Sequence, residues 1–269
     1  FLRNAWTYRD SIRRAESLFK REIQFLDSRV GNASVKYHAT RCELAGFYAR
    51  QGMKLDTAET MFRESLHGVL SSQLAESSML VLNAWNREGL IFEYRNQFQK
   101  ALSNYQYVLQ VMERGFGKES FEVAVQQTRV AEMEMNLGEY ASAEKKLLAS
   151  LKIIRRKNLE NRLERSECER LLAKLYITTG RFLEADRYLG LSLRRRSGMA
   201  DGDVFRFNGM DDEVVLLLQK GLFLEAQEKT DQIIERRTRF FQNSDHRSLI
   251  LPYQLSAQVY TSLGQYAKA

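Results

Sequence analysis

Apolar positions along this chain recur at helical spacing. Leu147, Leu148, Leu151 and Ile154 fall on one side of a 3.6-residue helix, and no stretch alternates apolar with polar residues as a half-buried strand would. The pattern is punctuated at regular intervals. At Leu137-Gly138-Glu139-Tyr140-Ala141-Ser142-Ala143 one helix ends at a glycine, an aromatic follows two residues later, and an alanine three further on opens a second helix. Near-copies stand at Gly180 to Ala185, Gly221 to Ala226 and Gly264 to Ala269, with weaker ones at Asn96 to Ala101 and Gly52 to Ala58. The alanines Ala15, Ala58, Ala101, Ala143, Ala185, Ala226 and Ala269 are separated by 43, 43, 42, 42, 41 and 43 residues. A fixed period of this kind is the mark of a repeat architecture.

Each element of the turn has a physical reason. Glycine ends the first helix because it enters the left-handed conformation without steric cost. Alanine stands where the second helix crosses the first, since a larger side chain would hold the backbones apart. The first helices carry their own small residue: Gly89 between Trp85 and Phe92, Ala131 between Gln127 and Glu134, Ala173 between Glu169 and Tyr176, and Ala257 between Tyr253 and Tyr260. The chain has one proline and 15 glycines, so little of it is linker. Gly198 to Asn208 is expected to be the longest connection between repeats.

These residues resemble the tetratricopeptide repeat. The second repeat shows it best, with Trp85, Gly89, Ala101 and Tyr105 in the family's marked places. The ordinary repeat is about 34 residues long, and the longer period here is similar to the kinesin-light-chain type. Gly115 to Ala124 and Asn243 to Leu249 stand where that type has its linker. The resemblance implies an all-α fold, a right-handed superhelical solenoid of antiparallel helix pairs. Residues 1–269 would form a single array of about five full repeats with a partial repeat at each end, a fragment of a longer chain. The family's asparagine ladder is missing, since its places hold Glu43, Arg87, Arg129, Leu171, Asp212 and Leu255.

Charge changes this picture little. A net charge of +7, from 41 basic and 34 acidic residues, is compatible with an acidic partner without requiring one. No apolar run is long enough to span a membrane. Cys42 and Cys168 fall three repeats apart, beyond disulfide reach, which suggests reduced thiols and a cytoplasmic location.

Catalytic signals are poor. His38, His67 and His246 belong to no metal or nucleophile pattern. Near Gly117-Lys118, Met112 and Glu119 occupy the places where a phosphate loop needs glycine and a hydroxyl. Asp201-Gly202-Asp203 lacks the further carboxylates of a calcium loop. The expectation is a chain that is not an enzyme and uses no metal or small-molecule cofactor. Basic clusters recur at the ends of second helices: Lys152, Arg155, Arg156 and Lys157; Arg194, Arg195 and Arg196; Arg236, Arg237 and Arg239. Cations there complement the helix dipole; the sharper reading is a basic ridge. Aromatics mark core registers rather than that ridge, which disfavours nucleic acid.

The surface left for function is the concave face of the first helices. Its inward positions include Leu90, Tyr94, Thr128, Glu132, Glu167, Thr178, Asp211, Val215, Gln219, Gln254 and Gln258. The candidate partner-binding set is Asn83, Asn86, Arg87, Arg129, Asn136, Arg170 and Lys174, in which the four cations form a basic strip and the amides can hold a peptide main chain. The expected function is a protein-interaction scaffold for a peptide or helix of a partner protein. The alternative is a sensory or regulatory domain of a larger signalling or transcription regulator.

Overall fold

The computed structural model describes residues 8–51, 54–71, 78–156, 163–197, 204–241 and 247–267. Among these residues the chain is helical throughout, with no strand. The second helices are α1 (Tyr8–Val30), α3 (Leu55–Leu70), α5 (Phe98–Phe116), α7 (Tyr140–Arg156), α9 (Phe182–Arg196) and α11 (Phe223–Phe241). Between them lie the first helices α2 (Val35–Arg50), α4 (Met79–Tyr94), α6 (Phe121–Asn136), α8 (Leu163–Thr178), α10 (Val204–Gln219) and α12 (Ile250–Ser262). A short 3-10 turn, Arg247–Leu249, leads into α12.

The punctuating turns close as their residue types require. At the end of α6, Gly138 has φ +84° and its N–H donates to Met135 O, while Glu139 N donates across it to Glu134 O at 2.8 Å. This pair of bonds satisfies the last carbonyls of the helix. Asparagine does the same work after α4, where Asn96 takes φ +57° and Gln97 N reaches Phe92 O. Ser34 and Ser120 each accept the N–H three residues on and so start α2 and α6.

The register alanines Ala58, Ala101, Ala143, Ala185 and Ala226 are all fully buried. The last of the series, Ala269, lies outside the described residues. Gly89 shows why the first helices need a small residue. The ring of buried Tyr105 on α5 lies against it, so that a methyl group there would run into the ring. Gly89→Ala should therefore lower the melting temperature. Overpacking of about 1–3 kcal/mol outweighs a gain in helix propensity of about 1 kcal/mol.

The chain divides into two compact units, one over Ile12–Ile153 and one whose main part is Ile154–Ala269. In the N-terminal unit, α1 docks on α2 through Phe19 and Phe47, with ring centroids 5.7 Å apart, and through Tyr48 Oη donating to Glu16 at 2.8 Å. Successive helices then bury two apolar clusters, one around Leu44, Phe62 and Ile91 and one around Leu82, Tyr105 and Met133. Lys146 on α7 donates to buried Glu134 on α6 at 2.7 Å.

The C-terminal unit is built differently. Its apolar cluster centres on Phe207, Val214, Ile233, Phe241 and Val259. Phe207 lies in the segment expected to be a linker; in fact α10 begins at Val204, and Phe207 is held by Phe240 and Phe241. The residue eleven places after each register alanine is Leu26, Val69, Met112 or Ile154 in the first four repeats, all buried. In the next two it is Arg196 and Arg237, which are equally buried. The basic clusters at these helix ends are thus not uniform cationic surface. The second and third clusters each contribute one arginine, Arg196 and Arg237, to the interior, where a buried guanidinium requires carboxylates and carbonyls around it.

Candidate functional site

In the N-terminal unit the candidate site is carried by α2, α4 and α6. Arg87 of α4 is half-buried, and its Nε and Nη2 donate to one carboxylate oxygen of Glu43 on α2 at 3.0 and 2.7 Å. The two residues hold the same register place in adjacent repeats. Gly46 makes the pairing feasible, because the Arg87 stem lies where a Cβ would project. Arg129 holds the next place of that series on α6, is exposed, and has no ion-pair partner among the described residues. Asn136, the last residue of α6, is also exposed. Asn83 and Asn86 are half-buried on α4, and the side-chain oxygen of Asn86 is buried without a hydrogen bond. Two residues expected to face inward, Leu90 and Thr128, belong to the packing instead. Both are buried, and Thr128 Oγ1 donates back to Ala124 O.

In the C-terminal unit the reading of Arg170 changes most. Only 6% of its side chain is exposed. Its guanidinium donates to Glu167 at 2.7 Å and to Asp212 on α10 at 2.8 Å. A cation so enclosed is neutralised by its neighbours and does not form a free basic strip. Glu167, one turn earlier, is expected on the same inward face; what register alone does not show is that it and Asp212 pair with Arg170. Lys174, one turn later on α8, is half-exposed with no ion-pair partner among the described residues. Beneath this surface Arg196 donates from Nε to Ser166 Oγ at 2.5 Å and approaches Glu167 at 3.4 Å. Buried Glu169 accepts from Arg165 at 3.1 Å and from Arg195 at 2.8 Å.

Asp211, also expected on the inward face, is buried. Arg237 Nη2 donates to it at 2.6 Å, and the same guanidinium donates to Ser248 O and lies 4.9 Å from the Phe207 ring centroid. Burial pushes the Asp211 carboxyl up to about 6, outweighing the nearby Arg237. The remaining inward positions of this unit, Val215, Gln219, Gln254 and Gln258, open together on a cleft between α10 and α12.

The groups that might carry chemistry sit in packing roles. Burial pushes the Cys42 thiol up to about 12, and Cys168 is fully buried. His38 is packed against Gly68, and burial lowers its pKa. His246 lies outside the described residues. No helix of the described residues is long and apolar enough to cross a membrane.

No protein-family model and no curated protein matches this chain. Solved structures do. BtubC (BKLC) from P. vanneervenii aligns over 85% of this chain and 91% of its own, with a TM-score of 0.63 at 16% identity. A putative kinesin light chain with nearly identical TPR-like repeats, from Podosopora anserina, aligns over 78% of this chain and 99% of its own, with a TM-score of 0.56 at 16% identity. Rap protein in complex with Competence and Sporulation Factor covers 96% of this chain and 72% of its own, with a TM-score of 0.61 at 13% identity. The fold is a helical-repeat solenoid of the tetratricopeptide-like kind.

Proposed function

We propose that this tetratricopeptide-like chain is an interaction scaffold that receives an acidic peptide of a partner protein on the first-helix face of its N-terminal unit. The observation that carries the reading is Arg129. It occupies the register place where Glu43 and Arg87 neutralise one another, yet it stands exposed without a carboxylate. A carboxylate of the partner supplies what Glu43 supplies to Arg87, and a charge-assisted pair of this sort is the stronger kind of hydrogen bond. Asn83, Asn86 and Asn136 offer amides for the peptide main chain. Arg170 is excluded from direct recognition by its own ion pairs, and Lys174 is the half-exposed cation of the candidate set in the C-terminal unit.

The structural neighbours support a binding role of this class. The Rap structure is a complex with Competence and Sporulation Factor, and another, Acl4, is described as an assembly chaperone of RpL4, with a TM-score of 0.50. The reading is non-catalytic and cytoplasmic, consistent with two buried free thiols. It treats residues 1–269 as one array, since the 42-residue step from Ala143 to Ala185 carries the register past the division at Ile153.

The test is a binding titration of the full chain with capped peptides rich in Asp and Glu. Arg129→Glu should weaken binding about tenfold or more, because it replaces a charge-assisted bond by repulsion. Added salt should weaken the unsubstituted protein's binding in the same direction. Equal affinity of both proteins would remove Arg129 from the site.

A further inference from the structure

We infer that the contact between the start of α2 and the end of α3 is an acid-sensitive latch, closed by a neutral His38 and released when that ring takes a second proton. The contact is built on an exchange of bulk. His38 stands four residues after the capping Ser34, the place that Ala124 holds after Ser120 in α6. Gly68 stands ten residues after the register alanine Ala58, the place that Ile153 holds after Ala143. This repeat therefore has a large ring and a glycine where another has an alanine and an isoleucine. The fit is close: the imidazole occupies the notch that Gly68 leaves, and a Cβ on that residue would run into it.

The surroundings accept a neutral ring and oppose a charged one. Nδ1 of His38 is buried without a hydrogen-bond partner. In the neutral tautomer protonated at Nε2, only a lone pair goes unsatisfied there. A second proton puts an N–H and part of a full charge in the same place, with no acceptor for either. The charged groups that bear on the ring are both basic: Arg41, one turn later on α2, and His67 on α3. Glu64 on α3 is engaged by Arg41 Nη2 at 2.5 Å, and among the described residues no carboxylate acts on His38. Tyr37 meets the ring edge to face, with centroids 5.4 Å apart, and His67 Nδ1 lies 2.9 Å from Ser71 Oγ.

Burial, and after it Arg41 and His67, hold His38 below its ordinary value of 6.5. The folded chain therefore favours the neutral ring more than the unfolded chain does. The stability this contributes is complete above about pH 6.5 and is lost as pH falls through the lower, folded value. A protonated ring regains its water only by leaving the notch. The end of α3, with buried Val69 next to Gly68, then loses its cover on α2. Histidine suits such a device because its charge changes near physiological pH.

The test is made on the full chain. Amide-exchange protection of residues 64–70, corrected for the intrinsic rate, should be lower at about pH 5.5 than at about pH 7.5. His38→Phe keeps a ring in the notch and should abolish that difference; His38→Gln, also uncharged, serves if the phenylalanine variant folds poorly. His67→Gln should retain the difference, since the buried Nδ1 and Arg41 remain. In the parent, NMR titration of the His38 ring should give a midpoint below 6.5, and the amide shifts at the end of α3 should follow the same curve. Asp211 acts in the other unit with the opposite sign, so a general effect of acid would not single out α3. The latch is overturned if His38 titrates at 6.5 or above, if residues 64–70 are equally protected at both pH values, if the uncharged variants lose as much protection as the parent, or if His67→Gln alone removes the response.

Discussion

Asp211→Ala is expected to destabilise the C-terminal unit by about 1–3 kcal/mol, the cost of leaving a buried donor without its acceptor. Arg237 would remain in the interior with 4% of its side chain exposed. Its remaining neighbours, the Ser248 carbonyl and the Phe207 ring, do not replace the acceptor that Asp211 offers to Nη2. Because Arg237 joins α11 to both α10 and the turn before α12, the loss should appear as faster amide hydrogen exchange in all three. The register supplies the rescue. Four earlier repeats hold Leu26, Val69, Met112 and Ile154 at this place. Asp211→Ala combined with Arg237→Met should therefore recover most of the loss, since a buried pair can be exchanged for packed apolar residues at little cost. A double variant as unstable as the single one would show that the stability lies elsewhere.

The same pair makes the C-terminal unit pH-dependent, with a sign opposite to most native carboxylates. Asp211 is raised from 3.8 to about 6 in the folded chain, burial being the largest cause. The folded state therefore binds a proton more tightly than the unfolded state between those values. The stabilisation it contributes is full below about pH 4 and is lost as pH rises through about 6. The difference across that window is on the order of 3 kcal/mol. Denaturant unfolding of the parent and of Asp211→Asn, measured between pH 4 and 7, isolates this group. The stability of the parent relative to the variant should fall as pH rises. A relative stability that rises with pH would mean that Arg237 outweighs burial.

Much of the fold was legible because it depends on repetition. The left-handed residue after a helix and the alanine at a helix crossing are local requirements, met by the same residue type in each repeat. Gly138 and Ala143 show both, and the structure gives them the conformation and burial that their types require. What depends on neighbours distant in sequence was not legible. Arg170 and Arg129 look alike as inward arginines of successive repeats, but Asp212, 42 residues on, joins Glu167 in enclosing one, and among the described residues no carboxylate pairs with the other. Arg196 and Arg237 were hidden inside runs of arginine, where one member of each run fills a core register. The useful signal was there: counting eleven residues from each register alanine puts them in line with Leu, Val, Met and Ile. Thr128 and Leu90 were misplaced for a simpler reason. The open face of a packed first helix is narrower than half its circumference, and residues at its margins are covered by adjacent helices.

Function on this account lies in what differs between repeats, above all in the unmatched cation on α6. The most direct measurement is photo-crosslinking from an acidic peptide to the full chain, with the attached residues mapped by mass spectrometry. The account predicts attachment on the first helices of the N-terminal unit, around Asn83, Arg87, Arg129 and Asn136, and its loss in Arg129→Glu. Attachment instead on the exposed faces of second helices, at residues such as Arg63 or Gln106, would contradict it.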